Sequence, residues 1–352
     1  MTVDPSLADL GWRPWFDQQL SDAEREARSP VRVVAVHRDR LQVRGEGIDQ
    51  LVTISPSMAT PAEERATIGD WLLLERERWR IHRLLKRLSL FKRRAPGTGR
   101  QVQLIAANVD TLFIVSSCNQ DFNIARLERY LVLARDADVW PIVVLTKADL
   151  CDEPDVFERD ARRLQTGLHV EVLNALDATS AQRLAPFCGL GQTVAFVGSS
   201  GVGKSTLINT LLGQDQLVTR AIREDDDKGR HTTTARVLHR LAHGGWLLDT
   251  PGMREIQLTD AEDGLSEVFD DIERLSASCR FADCSHGSEP GCAVQTAVVE
   301  GRLDPARLAR WMKLAAEERF NTETLAERRS RDRAFGKMVR TVVQAKQGHR
   351  KA

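Results

Sequence analysis

The sequence predicts a multidomain protein with a small β-barrel, a central α/β domain and a helical C-terminal region. Its 352 residues suffice for two or three domains that each bury a core. Short apolar runs separated by Gly, Pro and charged residues extend from Val31 to about Lys92 and are typical of an all-β barrel. Beyond them, longer apolar runs such as TLFIVSS, PIVVLTK and TVAFVGS alternate with helix-length amphipathic segments, which indicates a parallel sheet covered on both faces.

These patterns divide the chain into four segments. Residues 1–29 are polar with isolated aromatic residues, and we expect little fixed structure in this N-terminal arm. Residues 30–100 form the predicted barrel and end in the linker RRAPGTGRQ, and residues 101–257 form the α/β domain. Residues 258–352 show helical patterning, interrupted by a cysteine cluster, and end in a basic tail.

Local charge clusters are the basis for any attraction to polyanions, because 50 Lys plus Arg balance 50 Asp plus Glu. The segment Glu75–Arg100 holds ten basic residues against two acids, and Arg328–Ala352 holds nine against one. Trp79 and Phe91 interleave with the first cluster, as on surfaces that stack bases. We expect both clusters to contact RNA, although a solvated charged face explains the same composition.

The sequence contains no signal for a membrane or for secretion. No apolar run approaches the ~20 residues needed to cross a bilayer, and the start MTVDPSLADLGW lacks the pattern of a signal peptide. Three of the six cysteines crowd into a short stretch, unlike a secreted disulfide framework. We therefore expect a cytoplasmic protein whose clustered thiols bind metal.

The segment GSSGVGKS matches the phosphate loop G-x-x-x-x-G-K-[ST] and lies between a predicted strand and a predicted helix. Backbone N–H groups of such a loop face phosphates, Lys204 would reach the β- and γ-phosphates, and Ser205 would bind Mg²⁺. An ordinary Gly-rich turn is the less favoured alternative. The predicted nucleotide contacts are Gly198, Ser199, Ser200, Gly201, Val202, Gly203, Lys204, Ser205 and Thr206.

Two further segments resemble the switches of nucleotide hydrolases. In LLDTPG, Asp249 can hold Mg²⁺ through water and the Gly252 N–H can sense a γ-phosphate. The polar stretch AIREDDDKGRHTTT holds three threonines that could complete the Mg²⁺ shell. We assign Thr233 to this role, and Thr232 and Thr234 remain alternatives.

The segment TKAD resembles the N-K-x-D loop that reads guanine. The predicted base contacts are Thr146, Lys147, Ala148 and Asp149. The Asp carboxylate accepts hydrogen bonds from guanine N1–H and N2–H₂, and adenine lacks these donors, so we expect GTP rather than ATP. Thr146 replaces the usual Asn. The sequence therefore does not show which group makes the hydrogen bond by which that Asn braces the loop. A second base loop would be Asn174-Ala175, a weak match.

The order of these motifs predicts a circularly permuted sheet, because the base-reading loop precedes the phosphate loop. A ligand site at the C-terminal ends of parallel strands requires only that the loops meet in space, so a permuted chain can build the same pocket. The permutation also makes the DTPG segment run directly into the cysteine cluster.

The residues Cys279, Cys284, His286 and Cys292 form the pattern C-x4-C-x-H-x5-C. Three thiolates and one imidazole suit a tetrahedral Zn²⁺ ion with no open position, hence one structural zinc per chain. The spacing lacks the common C-x-x-C, and buried thiols without metal are the alternative.

The residue that positions the attacking water is less evident, because Met253 follows DTPG where many GTPases carry glutamine. A methionine cannot orient water. His231 lies in the polar loop between Gly229 and the three threonines, and we predict that it orients or deprotonates the water. A solvated surface histidine is the alternative.

The permuted motif order, GRHTTT and the cysteine cluster resemble the RsgA (YjeQ) family of ribosome small subunit-dependent GTPases. The likeness extends from about Val31 to Phe335 and includes QLIAANVDTLFIV, FNIARLERYLV and CRFADCSHGSEPGCAV. It implies an N-terminal OB-fold, a permuted GTPase domain and a C-terminal zinc-binding domain. It also implies action in late maturation of the small ribosomal subunit, which stimulates hydrolysis, and it supports a catalytic role for His231.

We therefore expect a Mg²⁺-dependent GTPase that docks on the small ribosomal subunit and its rRNA, assists or checks late maturation, and leaves on hydrolysis. We expect it to act as a monomer. A GTP-regulated RNA-binding module with incidental turnover is the first alternative, which Met253 makes conceivable. An ATP-dependent nucleic-acid enzyme is the second, and Asp149 and the lack of helicase motifs oppose it.

Overall fold

A computed structural model describes residues 5–37, 39–54, 61–94, 102–213, 236–249, 258 and 261–322. Its strands are β1 Arg28–Val36, β2 Arg40–Gly45, β3 Ile48–Thr53, β4 Trp71–Glu75, β5 Ile81–Leu84, β6 Leu90–Arg94, β7 Val102–Ala107, β8 Thr111–Ser117, β9 Trp140–Thr146, β10 His169–Val172, β11 Thr193–Gly198, β12 Arg236–Arg240 and β13 Trp246–Asp249. Its helices are α1 Pro14–Asp17, α2 Asp22–Ala27, α3 Ile124–Asp136, α4 Pro154–Arg162, α5 Ala178–Ala181, α6 Lys204–Leu212, α7 Glu262–Val268, α8 Asp270–Ser276, α9 Ala293–Val299 and α10 Pro305–Thr322.

The central domain is an α/β sheet with strand order β10-β9-β8-β11-β13-β12. The first five strands run parallel, and every residue of β8 and β11 is buried, as expected for strands covered on both faces. The last strand, β12, is antiparallel to β13, so the sheet is mixed and the prediction of a parallel sheet holds only for five strands. Along the chain, the strand before TKAD precedes the strand before the phosphate loop, which confirms the circular permutation.

The strands of the predicted barrel form an antiparallel unit in which β1 pairs with both β2 and β4. In turn, β2 pairs with β3, and β4 pairs with β5. This unit has its own core, formed by Val31, Val33, Leu41, Val43, Val52, Leu72 and Leu74. The all-β character of the segment is confirmed. The structure adds a separate hairpin, β6–β7, that straddles the predicted boundary at residues 100 and 101.

The two domains share one continuous sheet, because the end of β1 pairs antiparallel with the start of β12. The paired residues are Ala35 with Val237 and Val36 with Arg236. A register shift between Val33 and Ala35, where β1 pairs with β2, marks a β-bulge next to this junction. Pairing between strands so far apart in sequence leaves no local pattern, and the sequence did not predict it.

The N-terminal arm is folded, so the expectation of little fixed structure is wrong for its described part. Phe16 is buried, and the rings of Trp12 and Phe16 pack on Trp71 of β4 with centroid distances of 4.8 and 5.7 Å. The helix α2 begins with a capping box between Ser21 and Glu24. Phe16 thus belongs to a core cluster that also contains residues of the barrel strands and of the central sheet, and Trp12 packs against it.

A buried arginine joins the arm, the barrel strands and the GTPase sheet. Arg32 of β1 is 2 % exposed and donates hydrogen bonds to the Leu10 carbonyl at 2.7 Å, the Asn108 carbonyl at 3.2 Å and the Thr193 hydroxyl at 2.7 Å. Burial lowers the pKa of Arg32 to about 10, and the nearby Asp110 carboxylate opposes this shift. The guanidinium therefore stays charged at neutral pH and fixes three segments against each other.

The C-terminal helices pack on α3 through a buried ion-pair cluster. Glu128 of α3 is fully buried and accepts hydrogen bonds from Arg307 at 3.2 Å and Arg310 at 2.6 Å, both on α10. A buried carboxylate requires such partners, since an unpaired buried charge is costly. The described part of the C-terminal region is helical, as predicted, and its basic tail lies outside the described residues.

Among the helices of the described residues, none combines the length and apolar character needed to cross a membrane.

Candidate nucleotide site and metal centre

The phosphate loop connects β11 to α6, as the motif predicts. Gly198 has a φ of 145°, and a Cβ there would lie 2.2 Å from the Val115 carbonyl oxygen of β8, so only glycine fits. Gly203 precedes α6 with a φ of 93°. Lys204 is largely buried, and its ammonium group donates a hydrogen bond to the Ser199 carbonyl, which folds the side chain back over the loop. This arrangement places the helix N-terminus and the Lys204 charge at the same loop, where an anion would be stabilised.

The base-reading loop lies directly beside the phosphate loop. Thr146 is fully buried at the end of β9, and its hydroxyl lies 2.6 Å from the Val202 carbonyl and 3.1 Å from the Ser116 carbonyl, so it can donate to either. The Thr146 hydroxyl can therefore make the hydrogen bond that braces the loop, in place of the usual Asn. Lys147 adopts a left-handed conformation, and Asp149 is exposed in the following 3₁₀ turn, where a ligand can reach it.

A third loop and the end of β13 complete the site. A Cβ placed on Gly203 would lie 3.5 Å from Ala175, so the Asn174-Ala175 loop is next to the phosphate loop. The backbone of Asp249 ends β13, which runs parallel to β11 and therefore ends at the same edge of the sheet. The loops that the sequence assigned to base and phosphates thus meet in space.

Several predicted site residues lie outside the described residues, so their roles stay predictions. They are His231, Thr233, Gly252 and the side chain of Asp249, together with the flanking Thr232, Thr234 and Met253. Sequence reasoning also missed a residue: Arg126 of α3, whose guanidinium donates a hydrogen bond to the Ser199 hydroxyl. Arg126 lies in the segment FNIARLERYLV that the family likeness includes, but none of the nucleotide-binding motifs contains it.

The basic stretch of the barrel domain is only partly available to RNA. Phe91 is 2 % exposed and packs in the core, so its predicted stacking role is wrong. Arg83 pairs with Glu24 and Arg87 with the fully buried Asp70. Exposed basic residues remain at the tip of the β4–β5 hairpin, namely Arg76, Arg78 and Arg80, together with Trp79.

The predicted metal ligands converge in the C-terminal region. The ligand atoms of Cys279, Cys284, His286 and Cys292 all lie within 4.8 Å of one another. The Sγ atoms of Cys279 and Cys292 are 3.9 Å apart, and each lies 3.5–3.6 Å from His286 Nδ1. A tetrahedral zinc with ordinary bond lengths requires about 3.8 Å between two sulfurs and about 3.6 Å between sulfur and nitrogen. The donor set therefore fits a tetrahedral ion.

The surrounding residues hold these donors in place. The backbone of His286 is left-handed with a φ of 57°, and its carbonyl accepts a hydrogen bond from Gln295 Nε2 at 2.6 Å. Its ring packs on Trp311 of α10 at 5.4 Å. By contrast, burial raises the pKa of the Cys118 thiol to about 11 and that of Cys188 to about 12, so these two thiols stay protonated core groups.

Asp149→Asn should shift nucleotide preference from guanine towards xanthine. The amide presents one acceptor and one donor in place of two acceptors, and xanthine carries a carbonyl where guanine carries its 2-amino group. Competition of XTP and GTP against labelled GTP would measure the shift, with Asp152→Asn, another exposed carboxylate of this loop, as the matched control. Undiminished GTP preference in Asp149→Asn would contradict the base-reading role.

Comparisons with known proteins identify the family of the chain. The model of the RsgA GTPase family matches residues 84–259. The "Small ribosomal subunit biogenesis GTPase RsgA 2" of Vibrio parahaemolyticus is 50 % identical over 97 % of this chain and 93 % of its own. The "Small ribosomal subunit biogenesis GTPase RsgA" of Mesorhizobium japonicum is 51 % identical over 90 % of this chain and 91 % of its own.

Two solved structures share the fold. YjeQ from Thermotoga maritima superposes with a TM-score of 0.59 at 23 % identity, covering 82 % of this chain and 97 % of its own. YloQ, described as a circularly permuted GTPase, superposes with a TM-score of 0.56 at 24 % identity, covering 84 % and 97 %. With the sequence relatives matching over nine-tenths of the chain or more, we conclude that the chain belongs to the RsgA GTPase family.

Proposed function

We propose that this protein is a Mg²⁺-dependent GTPase that binds the small ribosomal subunit in the cytoplasm, assists or checks its late maturation, and leaves when GTP is hydrolysed. The observation that carries the proposal is the meeting of the TKAD loop and the phosphate loop through the Thr146–Val202 contact. This contact joins a guanine-reading segment to a phosphate cradle. The names of relatives up to 51 % identical support the small ribosomal subunit as partner.

Magnesium would be held by Ser205 at the start of α6, with Thr233 and Asp249 as further candidate contacts. Ser205 is partly exposed at the mouth of the phosphate loop, next to Lys204. A magnesium ion held there would supply positive charge that offsets the charge developing on the phosphates. Lys204 supplies a second positive charge to the same oxygens.

Zinc is the metal that we propose for the C-terminal cluster. Three thiolates and one imidazole form a soft donor set that favours zinc over magnesium or calcium. The separations among Cys279, His286 and Cys292 fit its tetrahedral bond lengths, and Cys284 Sγ lies within 4.8 Å of all three. Four protein ligands leave no open position, which supports a structural role.

Ribosomal RNA is the proposed ligand of two surfaces, an OB-fold barrel and the basic tail. On the barrel, the tip of the β4–β5 hairpin presents three exposed arginines beside Trp79, which is 38 % exposed. Trp79 has a φ of 51°, a backbone conformation that residues with bulky side chains rarely adopt. Such conformations are concentrated at functional sites, which supports a binding role for this hairpin tip. Arginine and tryptophan together suit phosphates and unpaired bases.

Lys204→Ala should weaken GTP binding and subunit-stimulated hydrolysis by roughly 10- to 150-fold, since one charge-assisted contact in a shielded site contributes about 1.5–3 kcal/mol. Nucleotide titration and turnover with purified small subunits would measure both effects. Arg163→Ala removes one exposed positive charge at the end of α4 and serves as the control. Parent-like turnover in Lys204→Ala would refute the assigned phosphate site.

The alternative function, an RNA-binding module with incidental turnover, differs in one measurable respect. If hydrolysis is the release signal, subunits should stimulate single-turnover hydrolysis, and the protein should sediment with subunits in a nonhydrolysable GTP analogue but not in GDP. Equal sedimentation in both nucleotides, with unstimulated turnover, would favour the alternative. Displacement of labelled GTP by equal concentrations of ATP would favour an ATP-dependent enzyme instead.

A further inference from the structure

Arg126 is an exposed arginine that lies against the phosphate loop from a separate segment of the chain. It is the third residue of α3, and its guanidinium donates to the Ser199 hydroxyl. Within the described ranges, no carboxylate forms an ion pair with it. Its contact among these residues is the neutral hydroxyl of Ser199, which leaves the charge uncompensated within the described part.

The helix itself does not favour a cation at this position. The N-terminus of α3 carries the positive end of the helix dipole, and no acid occupies its first turn. Lys204 adds a second positive charge, because it donates to the carbonyl of the same Ser199. Two cations thus converge on one residue of the loop, an arrangement that an anion would stabilise.

The direction of the phosphate loop shows which part of a nucleotide Arg126 would meet. The base end is marked by Val202, whose carbonyl contacts Thr146 of the base-reading loop. The opposite end is marked by Ser199, which contacts Lys204, the group that reaches β- and γ-phosphates in such loops. Arg126 therefore lies at the end of the terminal phosphates.

We propose that Arg126 binds the γ-phosphate of GTP and so distinguishes GTP from GDP, an inference that rests on the proposed GTPase function. In hydrolysis, water adds to the γ-phosphorus, the bond to the bridging oxygen breaks, and phosphate and GDP leave. The guanidinium takes part in no covalent step. It stabilises charge on the γ-phosphoryl oxygens, which matters more in a chain that has Met253 after DTPG.

The position of α3 prepares Arg126 for this role. The helix is held on its buried side by Glu128 with Arg307 and Arg310. Asn123 caps the helix by accepting the Arg126 N–H at 2.9 Å. Moving from the Ser199 hydroxyl to a phosphate therefore requires only side-chain rotation, without movement of the helix.

The test compares Arg126→Ala, Arg126→Lys and the control Arg163→Ala, using a fluorescent nonhydrolysable GTP analogue and fluorescent GDP. In Arg126→Ala, affinity for the GTP analogue should fall about 10-fold and affinity for GDP by less than about threefold, since only GTP carries the lost contact. Turnover at saturating GTP should fall as well. Arg126→Lys should recover part of both losses, because it keeps the charge without the planar fork.

The melting temperature separates this role from a structural one. Removing a cation from a helix N-terminus should leave the melting temperature unchanged or raise it. An unchanged ratio of GTP to GDP affinity with parent turnover would overturn the inference, as would equal loss of both nucleotides with a lowered melting temperature. Failure of the parent protein to bind either nucleotide would instead contradict the proposed GTPase function.

Discussion

Cys284→Ser should release about one zinc per chain and unfold the loop between α8 and α9. Structural zinc contributes roughly 10–16 kcal/mol to small folds at neutral pH, and a serine hydroxyl is a poor substitute for a thiolate. This loop contains no helix or strand between Ser276 and Ala293, so the proposed zinc would be a main support besides its local hydrogen bonds. The loss should extend to α10, because His286 packs on Trp311.

Elemental analysis and thermal unfolding would test this expectation. Cys151→Ser is the matched control, since Cys151 is half-buried and lies outside the cluster. The control should keep its zinc and its melting temperature, whereas Cys284→Ser should lose the first and lower the second. The proposed metal centre would be contradicted if the parent protein contained no zinc. It would also be contradicted if the Cys284→Ser variant retained its zinc.

His231→Ala should cut subunit-stimulated hydrolysis by about 10²–10⁴-fold while leaving GTP affinity nearly intact. The residue lies outside the described part, but β12 begins at Arg236, five positions later. Val237 of β12 pairs with Asp249 at the end of β13, so the start of β12 lies at the edge that carries the phosphate loop.

A His231→Ala protein that binds GTP without hydrolysing it should also stay longer on small subunits, if hydrolysis triggers release. Stimulated turnover and co-sedimentation in GTP would measure the two effects. His243→Ala, an exposed histidine in the turn between β12 and β13, is the control and should behave like the parent. Turnover of His231→Ala within about threefold of the parent would make His231 a surface residue.

Sequence reasoning succeeded where a function is encoded by neighbouring residues. The phosphate loop, TKAD and the Cys₃His set each lie within a few positions, and the structure places TKAD beside the phosphate loop and, separately, gathers the four metal-ligand candidates. It failed where a role depends on distant partners. Phe91 is an aromatic residue within a basic stretch but packs in the core, and Trp12 and Phe16 of the arm pack on Trp71, which is distant in sequence.

The pairing of β1 with β12 also implies a delay during synthesis, because the two strands are far apart in the sequence. Ala35 leaves the ribosome about two hundred residues before its partner Val237. At 5–20 residues per second, the end of β1 waits about 10–40 s for its neighbour during synthesis. An unpaired strand edge invites pairing with other chains. The permuted gene order, which places β12 late, therefore prolongs the interval in which a newly made chain is open to misassembly and to chaperone binding.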